Sequence, residues 1–574
     1  LNSTRYAIVC LLTLTIFSEI SMSSHAAPPE PVAASAAASD KVPLDSAVHD
    51  KRLGLFPAGD FRLTDGHCAD CAAIPQALWY FRDTVIAVPK PGITVSGFST
   101  ALADSSDVAV WAADGGAATL AHPGLVWLGA PDTIAAATIS PDGRHVTLLD
   151  GSRLILRLEP KLASNRAYFN AASLAFFGQR PVSMRGTLRQ EGPGLTFIAE
   201  TIWPASWSID GAALTPAPLA AGETLRSFVR AEKGGVDSAY ADRLIWQRHP
   251  GTAVSLQDRP ALAIVLSGGQ GDDDESLGGH FAVATGTFGE HGQWKDWLAN
   301  NFYPLDAVSE KGILASAMPM DKYLFDLNGG QQYYRPSYML VFVLNKPAVA
   351  AAYQGGAQRM LNHYYRHDIE YDNATENCTG FSIDVLTSLG WAIPRRGPTH
   401  ALKAIAAYPY AAITNLSLKS GRQAYDYLHE EQIRLYPAVA FEAAGEDLLR
   451  VVDGKAARPL TAFERQLQGD VDAVILVRMP QVPSSRAAGS APVFSYDEYM
   501  ARVPKNRADW KVIPVPPRPF PAALRDGLAL ESDKARLLPS EVGIGAGIGL
   551  ALLALCAGAV HLLRRRRHTG RRKP

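Results

Sequence analysis

Cysteine is scarce in this chain, five in 574 residues, and the five make neither a metal set nor a disulfide framework. Four thiolates at zinc spacing are missing, and Ala72 follows Cys68-Ala-Asp-Cys71, which excludes a C-x-x-C-H haem attachment. His429-Glu430-Glu431 has no second histidine four residues on, so no H-E-x-x-H zinc site is completed and the run reads as a solvated helix face. The acidic run Asp272–Glu275 carries oxygen ligands of the kind calcium takes, but its spacing fits no EF-hand and it reads as a solvated loop. Charge of one sign is also lacking. A formal net charge of −1 removes the electrostatic case for a nucleic-acid partner. No metal or other cofactor is expected. Hydrophobic residues at 47% and charged residues at 19% exclude global disorder. At this length, two or three domains are expected rather than one core.

The ends carry the compartment signals. Arg5 precedes an apolar run over 6–17, and Ser24-His25-Ala26 offers a small-x-small cleavage site, so 1–26 reads as a secretory signal peptide. Residues 27–55 open Pro/Ala/Ser-rich and read as a linker. Near the other end, 542–563 is apolar and long enough to cross a bilayer as one helix. The basic tail 564–574 follows at once, and the positive-inside rule keeps it cytoplasmic with the body outside. This helix is either a retained anchor or a cleaved sorting signal. The expected setting is a bacterial membrane crossed once, with the body periplasmic or at the surface.

Between those ends, residues 56–250 read as a β-rich domain of short strands, on the pattern of a sandwich. Asp142-Gly143 and Asp150-Gly151 mark turns between alternating runs. The region concentrates no titratable groups, so it reads as a structural or ligand-binding module. Outside the cytoplasm Cys68 and Cys71 pair most simply as a disulfide; the other reading is an exposed redox pair. Later, Thr461 and Glu464 form a capping box, VDAVILVRMP reads as a strand, and 481–541 is a Pro-rich extension that packs on the body or spaces it from the membrane.

Chemistry concentrates around a lone thiol. In HDIEYDNATENCTGFSIDVLTSLGW, residues 367–391, a polar loop runs into Cys378, where Phe381, Val385, Leu386 and Leu389 begin a helical pattern that Gly390 and Pro394 end. A thiol at a helix N-terminus meets unpaired N–H groups and the positive end of the dipole, which favour the thiolate. Alternatively, Cys378 lies on the apolar face and is a small buried hydrophobe. A thiol hydrolase also needs an imidazole and a group to orient it. His280, at the head of an apolar strand, can supply the first. His291, or Gln293, would be the second.

GGHFAVATG (278–286), YYRPSYMLVFVL (333–344) and YDNATENCTGFSIDVL (371–386) together resemble the Lnb N-terminal periplasmic domain family. That family is similar in turn to circularly permuted papain-like proteins, among them NlpC-type hydrolases and lecithin:retinol acyltransferase. The resemblance covers about 260–395. It implies Cys378 as nucleophile, His280 as base, His291 as the third member, and Arg335, Tyr371 and Asn377 as substrate-binding positions. The acidic, Gly-rich approach to the His strand departs from the family pattern.

The expected architecture is α+β: a permuted papain-like domain over 255–480 preceded by the β-rich domain. The expected function is a membrane-anchored extracytoplasmic cysteine hydrolase or acyltransferase acting on an amide or ester of a cell-wall peptide, lipid or protein, its oxyanion held by N–H groups at the start of the cysteine helix. The alternative is a catalytically inactive envelope protein that binds or supports.

Overall fold

A computed structural model describes residues 52–96, 122–158, 169–306 except 193 and 232–234, and 312–525 except 485 and 514–517. The expected signal peptide, transmembrane helix and basic tail lie outside the described residues. Among the described residues, no helix is long and apolar enough to cross a membrane. The chain is α+β and divides into two compact units, one holding His400–His429 and the other holding the remaining described residues.

The larger unit is built on a seven-stranded antiparallel sheet. Its strands run in the order Ala241–Gln247, Val471–Met479, Ser337–Leu344, Pro260–Ser267, His280–Thr287, Leu298–Asn301 and Ser316–Pro319. The central strands are continuous apolar runs, VFVL and AIVL among them, because both faces are covered; Ser337–Leu344 and His280–Thr287 are buried along their whole length. Helices Ala348–Tyr365, Cys378–Ser388 and Pro437–Val452 pack on this sheet. Helix Ala462–Asp470 starts with the expected capping box, the Thr461 side chain accepting from the Glu464 N–H and Glu464 from the Thr461 N–H.

Boundaries and one architecture differ from the sequence reading. Strand Ala241–Gln247, expected in the β-rich domain, joins the central sheet by pairing with Val471–Met479. The residues before it form a closed five-stranded barrel over 132–204, not a sandwich, and a three-stranded sheet of Phe61–Thr64, Val85–Pro89 and Val126–Gly129. In the barrel the two turn dipeptides hold, with Gly143 at φ 67° and Gly151 at φ 84°, values that favour glycine. The fold also begins inside the expected linker, since Leu53 and Leu55 are buried. The expected Pro-rich extension 481–541 is part of the body over its described residues: Val482, Val493 and Phe494 are buried, Tyr496–Arg502 is a helix, and in 518–525 the Phe520 ring stacks on Tyr80 at 5.4 Å and lies 4.4 Å from His367.

The smaller unit is a helical hairpin, Ala401–Thr414 and Leu418–His429, joined by a three-residue turn. Ala404, Ala407 and Ala411 pack with Ala424 and Leu428. The helices approach closely at Gly421, where a Cβ would stand 2.8 Å from the Tyr408 carbonyl oxygen.

Candidate active site

Strand register brings the imidazole to its partners. His280 opens its strand opposite Ser267, and Ser267 pairs on its other side with Ser337. The neighbouring strand pairs Val283 with Asn300, so Asn301 falls on the His280 face, diagonally across from it. His280 Nε2 and Asn301 Oδ1 are 2.6 Å apart. The Asn301 amide donates through Nδ2 to the Leu314 carbonyl at 3.3 Å, which turns its oxygen to the ring and makes Nε2 the donor. The Nδ1 atom is thereby left for Cys378.

Asn301 is held from behind. Its neighbour Asn300 exchanges two amide hydrogen bonds with Gln354, at 2.9 and 3.0 Å, and Thr285 donates to the same Gln354 oxygen at 2.6 Å. All three are fully buried. This fully satisfied network ties the His strand and the Asn strand to helix Ala348–Tyr365.

The thiol arrives on its own helix, Cys378–Ser388. Phe381, Val385 and Leu386 bury one face; the Phe381 ring stacks on Phe302 at 4.8 Å and tilts against Tyr364 at 5.0 Å. The preceding loop is clamped by Arg434, whose guanidinium lies 2.8 Å from Glu376, 2.8 Å from Asp384 and 3.0 Å from Glu430. The Cys378 sulfur has the Thr379 hydroxyl at 3.9 Å, and the neighbouring His280 imidazole acts on it chiefly through its charge. Burial pushes the thiol up, but the His280 charge and hydrogen bond, the Phe281 backbone and the Thr379 hydroxyl bring it down to about 7. Cys378 and His280 are each 5% exposed, so the pair is desolvated and reached only by opening its surroundings.

The other sequence-designated residues fall as follows. His291 is not at this site. It is exposed in a 3-10 turn with φ 55° and lines a cavity of about 520 Å³ at the barrel, with Trp203, Trp207 and Trp294. The strand expected to present it begins later, at Leu298. Gln293 lines the same cavity. Asn377 is a helix cap rather than a substrate ligand: its side-chain oxygen accepts from the Thr379 and Gly380 N–H groups at 2.8 and 3.2 Å, and its Nδ2 donates to the Leu435 carbonyl at 3.1 Å. The Tyr371 hydroxyl accepts from the Cys378 N–H at 3.2 Å. The expected open N–H groups at the helix start are therefore already engaged. Burial, and then the charge of Cys378, hold the Tyr371 phenol well above its ordinary value, so it remains a hydroxyl with a proton to donate.

Arg335 sits at the same end of the sheet, two residues before Ser337. It is 5% exposed, donating from Nε to Gln331 at 2.7 Å and from NH1 to the Gly268 carbonyl at 3.3 Å. Among the described residues no carboxylate pairs with it, an unusual state for a buried cation. Tyr323 is a neighbour of both, its ring centroid 6.2 Å from that of His280 and its phenol acted on by the Arg335 charge. Away from this site Cys68 and Cys71 are joined as a disulfide, their Cα atoms 5.7 Å apart. Asp272 pairs with Arg486 at 2.6 Å, and no group of three or more metal-ligating side chains occurs among the described residues.

Asn301 is the residue that sequence reasoning missed. Its signal was faint but present: two consecutive asparagines inside the apolar strand LANNF, where only residues with buried partners belong. No family model, no curated protein and no solved structure matches the chain.

Proposed function

We propose that this chain is a cysteine hydrolase or acyltransferase of permuted papain-like type, akin to the Lnb N-terminal periplasmic domain family. It would act outside the cytoplasm, held by the apolar segment 542–563, on an amide or ester of a cell-wall peptide, lipid or protein. The observation that carries this reading is the buried His280–Asn301 hydrogen bond beside Cys378, whose thiol the His280 charge helps to lower; Cys, His and Asn are the set that papain-like enzymes use.

In the proposed reaction the Cys378 thiolate attacks the carbonyl carbon and a C–S bond forms. The oxyanion takes the proton-bearing side of the Tyr371 hydroxyl, which is itself fixed by the Cys378 N–H. Imidazolium His280 protonates the leaving nitrogen or oxygen as its bond to carbon breaks, giving a thioester. Water or an acceptor hydroxyl or amine then loses its proton to His280 and attacks; the C–S bond breaks and the thiolate returns. Asn301 keeps the ring in the tautomer that both half-reactions need. Arg335, a buried cation just before Ser337, which stands two strand spacings or about 10 Å across the sheet from His280, would receive a carboxylate or phosphate of the substrate.

One observation favours the inactive alternative, the 5% exposure of the thiol. Alkylation decides between them. With Cys10 and Cys556 replaced by Ser, the folded chain treated with iodoacetamide should be modified once, at Cys378, half-maximally near pH 7, and Cys378→Ala should remove the adduct without loss of folding. A thiol that stays unmodified in the folded chain defeats the enzyme reading.

A further inference from the structure

Exposed large apolar side chains are unevenly spread over the described chain. Leu402 is 85% exposed, Ile405 52%, Ile413 72%, Leu416 93% and Leu418 52%; the rest of the described chain holds five others, scattered from Leu63 to Val512. All five in the cluster lie within seventeen residues of the helical hairpin. They are not leftovers of its core. The core face of the first helix is Ala404, Ala407 and Ala411, whereas 402, 405, 409 and 413 recur at the same three- and four-residue spacing on another face, followed by Leu416 in the turn and Leu418 at the start of the second helix. A helix with two apolar faces, one of them bare, is built to be covered.

We propose that this bare face rests on an anionic lipid surface, seating the hairpin in the interface of a bilayer. Charge selects this occupant. From His400 to Tyr425 the sequence has Lys403, Lys419 and Arg422 and not one carboxylate; the first, Asp426, sits 2.7 Å from Arg422. Long basic side chains flanking Leu and Ile can extend to headgroups while the apolar face enters the acyl boundary. Tyr408 and Tyr410 add amphipathic rings of the kind that gather at that depth. A soluble protein partner would more naturally meet a polar rim of mixed sign. The sequence supplies the geometry too, since an apolar segment at 542–563 would keep this chain at a bilayer.

The test uses the full chain reconstituted in vesicles of phosphatidylcholine with phosphatidylglycerol. An environment-sensitive fluorophore is attached through Leu416→Cys, in a chain whose Cys10, Cys378 and Cys556 are replaced by Ser. Because position 416 is almost wholly exposed, the substitution leaves the hairpin core intact. Emission at 416 should shift to the blue, be quenched by shallow spin-labelled phospholipid, and lose most of that quenching when Ile413→Asp is added or phosphatidylglycerol is left out. A blue shift without lipid quenching means the face is covered by protein, either a second copy or another part of the chain, and overturns the proposal. So does emission unchanged from that in water. None of these outcomes depends on the thiol site being active.

Discussion

Removing the Asn301 amide probes the site most directly. In Asn301→Ala the His280 Nε2–H, on a ring 5% exposed, loses its acceptor, and the Leu314 carbonyl loses a donor. Orphaning a buried donor costs about 1–3 kcal/mol of stability. The larger consequence is electrostatic. A hydrogen bond from charged imidazolium is roughly twice as strong as one from neutral imidazole, so losing it penalises the ion pair by about 1 kcal/mol, or somewhat under one pKa unit. The thiol, now brought to about 7, should move up by that amount. At neutral pH the thiolate fraction then falls from about half to roughly one part in six, and alkylation slows roughly threefold. Turnover should fall further, on the order of a hundredfold, because a ring free to rotate no longer holds its proton on line. Asn301→Asp should return the midpoint to about 7 or below, since a carboxylate favours imidazolium. Iodoacetamide modification of Cys378 followed by intact mass across pH, with Tm measured in parallel, reads all three. If Tm drops while the alkylation midpoint stays at about 7, Asn301 is only packing and the triad assignment fails.

Gln354→Leu should cost about 1–3 kcal/mol by stranding Asn300 and Thr285, read as a fall in Tm with a partial loss of alkylation rate. Burial, then Asp384 and Glu430 against the opposing Arg434, raise the Glu376 carboxyl from 4.5 to about 8. A carboxyl raised on folding contributes stability fully below its unfolded value and loses that contribution as pH rises through its folded one. Tm should therefore decline from about pH 4.5 to 8, and Glu376→Gln should flatten that decline; an unchanged slope removes Glu376 as the cause. Arg335→Met should abolish any preference of Cys378 for a carboxylate-bearing maleimide over its neutral analogue, a ratio expected near tenfold for a charge about 10 Å away; equal rates in the unaltered chain would refute the anion site.

Local chemistry was legible; long-range pairing was not. Cys378 at a helix start, the Thr461 and Glu464 box and the two Asx-Gly turns are each written within a few residues, and each stands where its pattern puts it. The domain boundary near 250 failed for the opposite reason. Trp246 belongs to the central sheet because Val474 lies beside it, more than two hundred residues later, and nothing local to Ala241–Gln247 marks that partner. His291 failed through register. A histidine one turn after a strand looks well placed, but the chain spends 288–297 crossing over before the next strand starts, so the diagonal neighbour of His280 is an asparagine.

The helix start itself shows what a cap can take away. Asn377 fixes the thiol by consuming the Thr379 and Gly380 N–H groups, and Tyr371 consumes that of Cys378, so a helix terminus that reads as an anion site has little left to offer an oxyanion. A phenol is the one side chain at 371 that resolves this conflict within the proposed reaction. Its oxygen accepts from the Cys378 N–H while it keeps a hydrogen of its own to donate. A phenylalanine would free the N–H but give no second donor, and a carboxylate would accept without donating and repel the thiolate. Tyr371→Phe should therefore leave alkylation of the thiol nearly intact, since iodoacetamide builds no oxyanion, yet lower acyl transfer by roughly a hundredfold or more. Equal losses in both reactions would mean that the hydroxyl only positions Cys378.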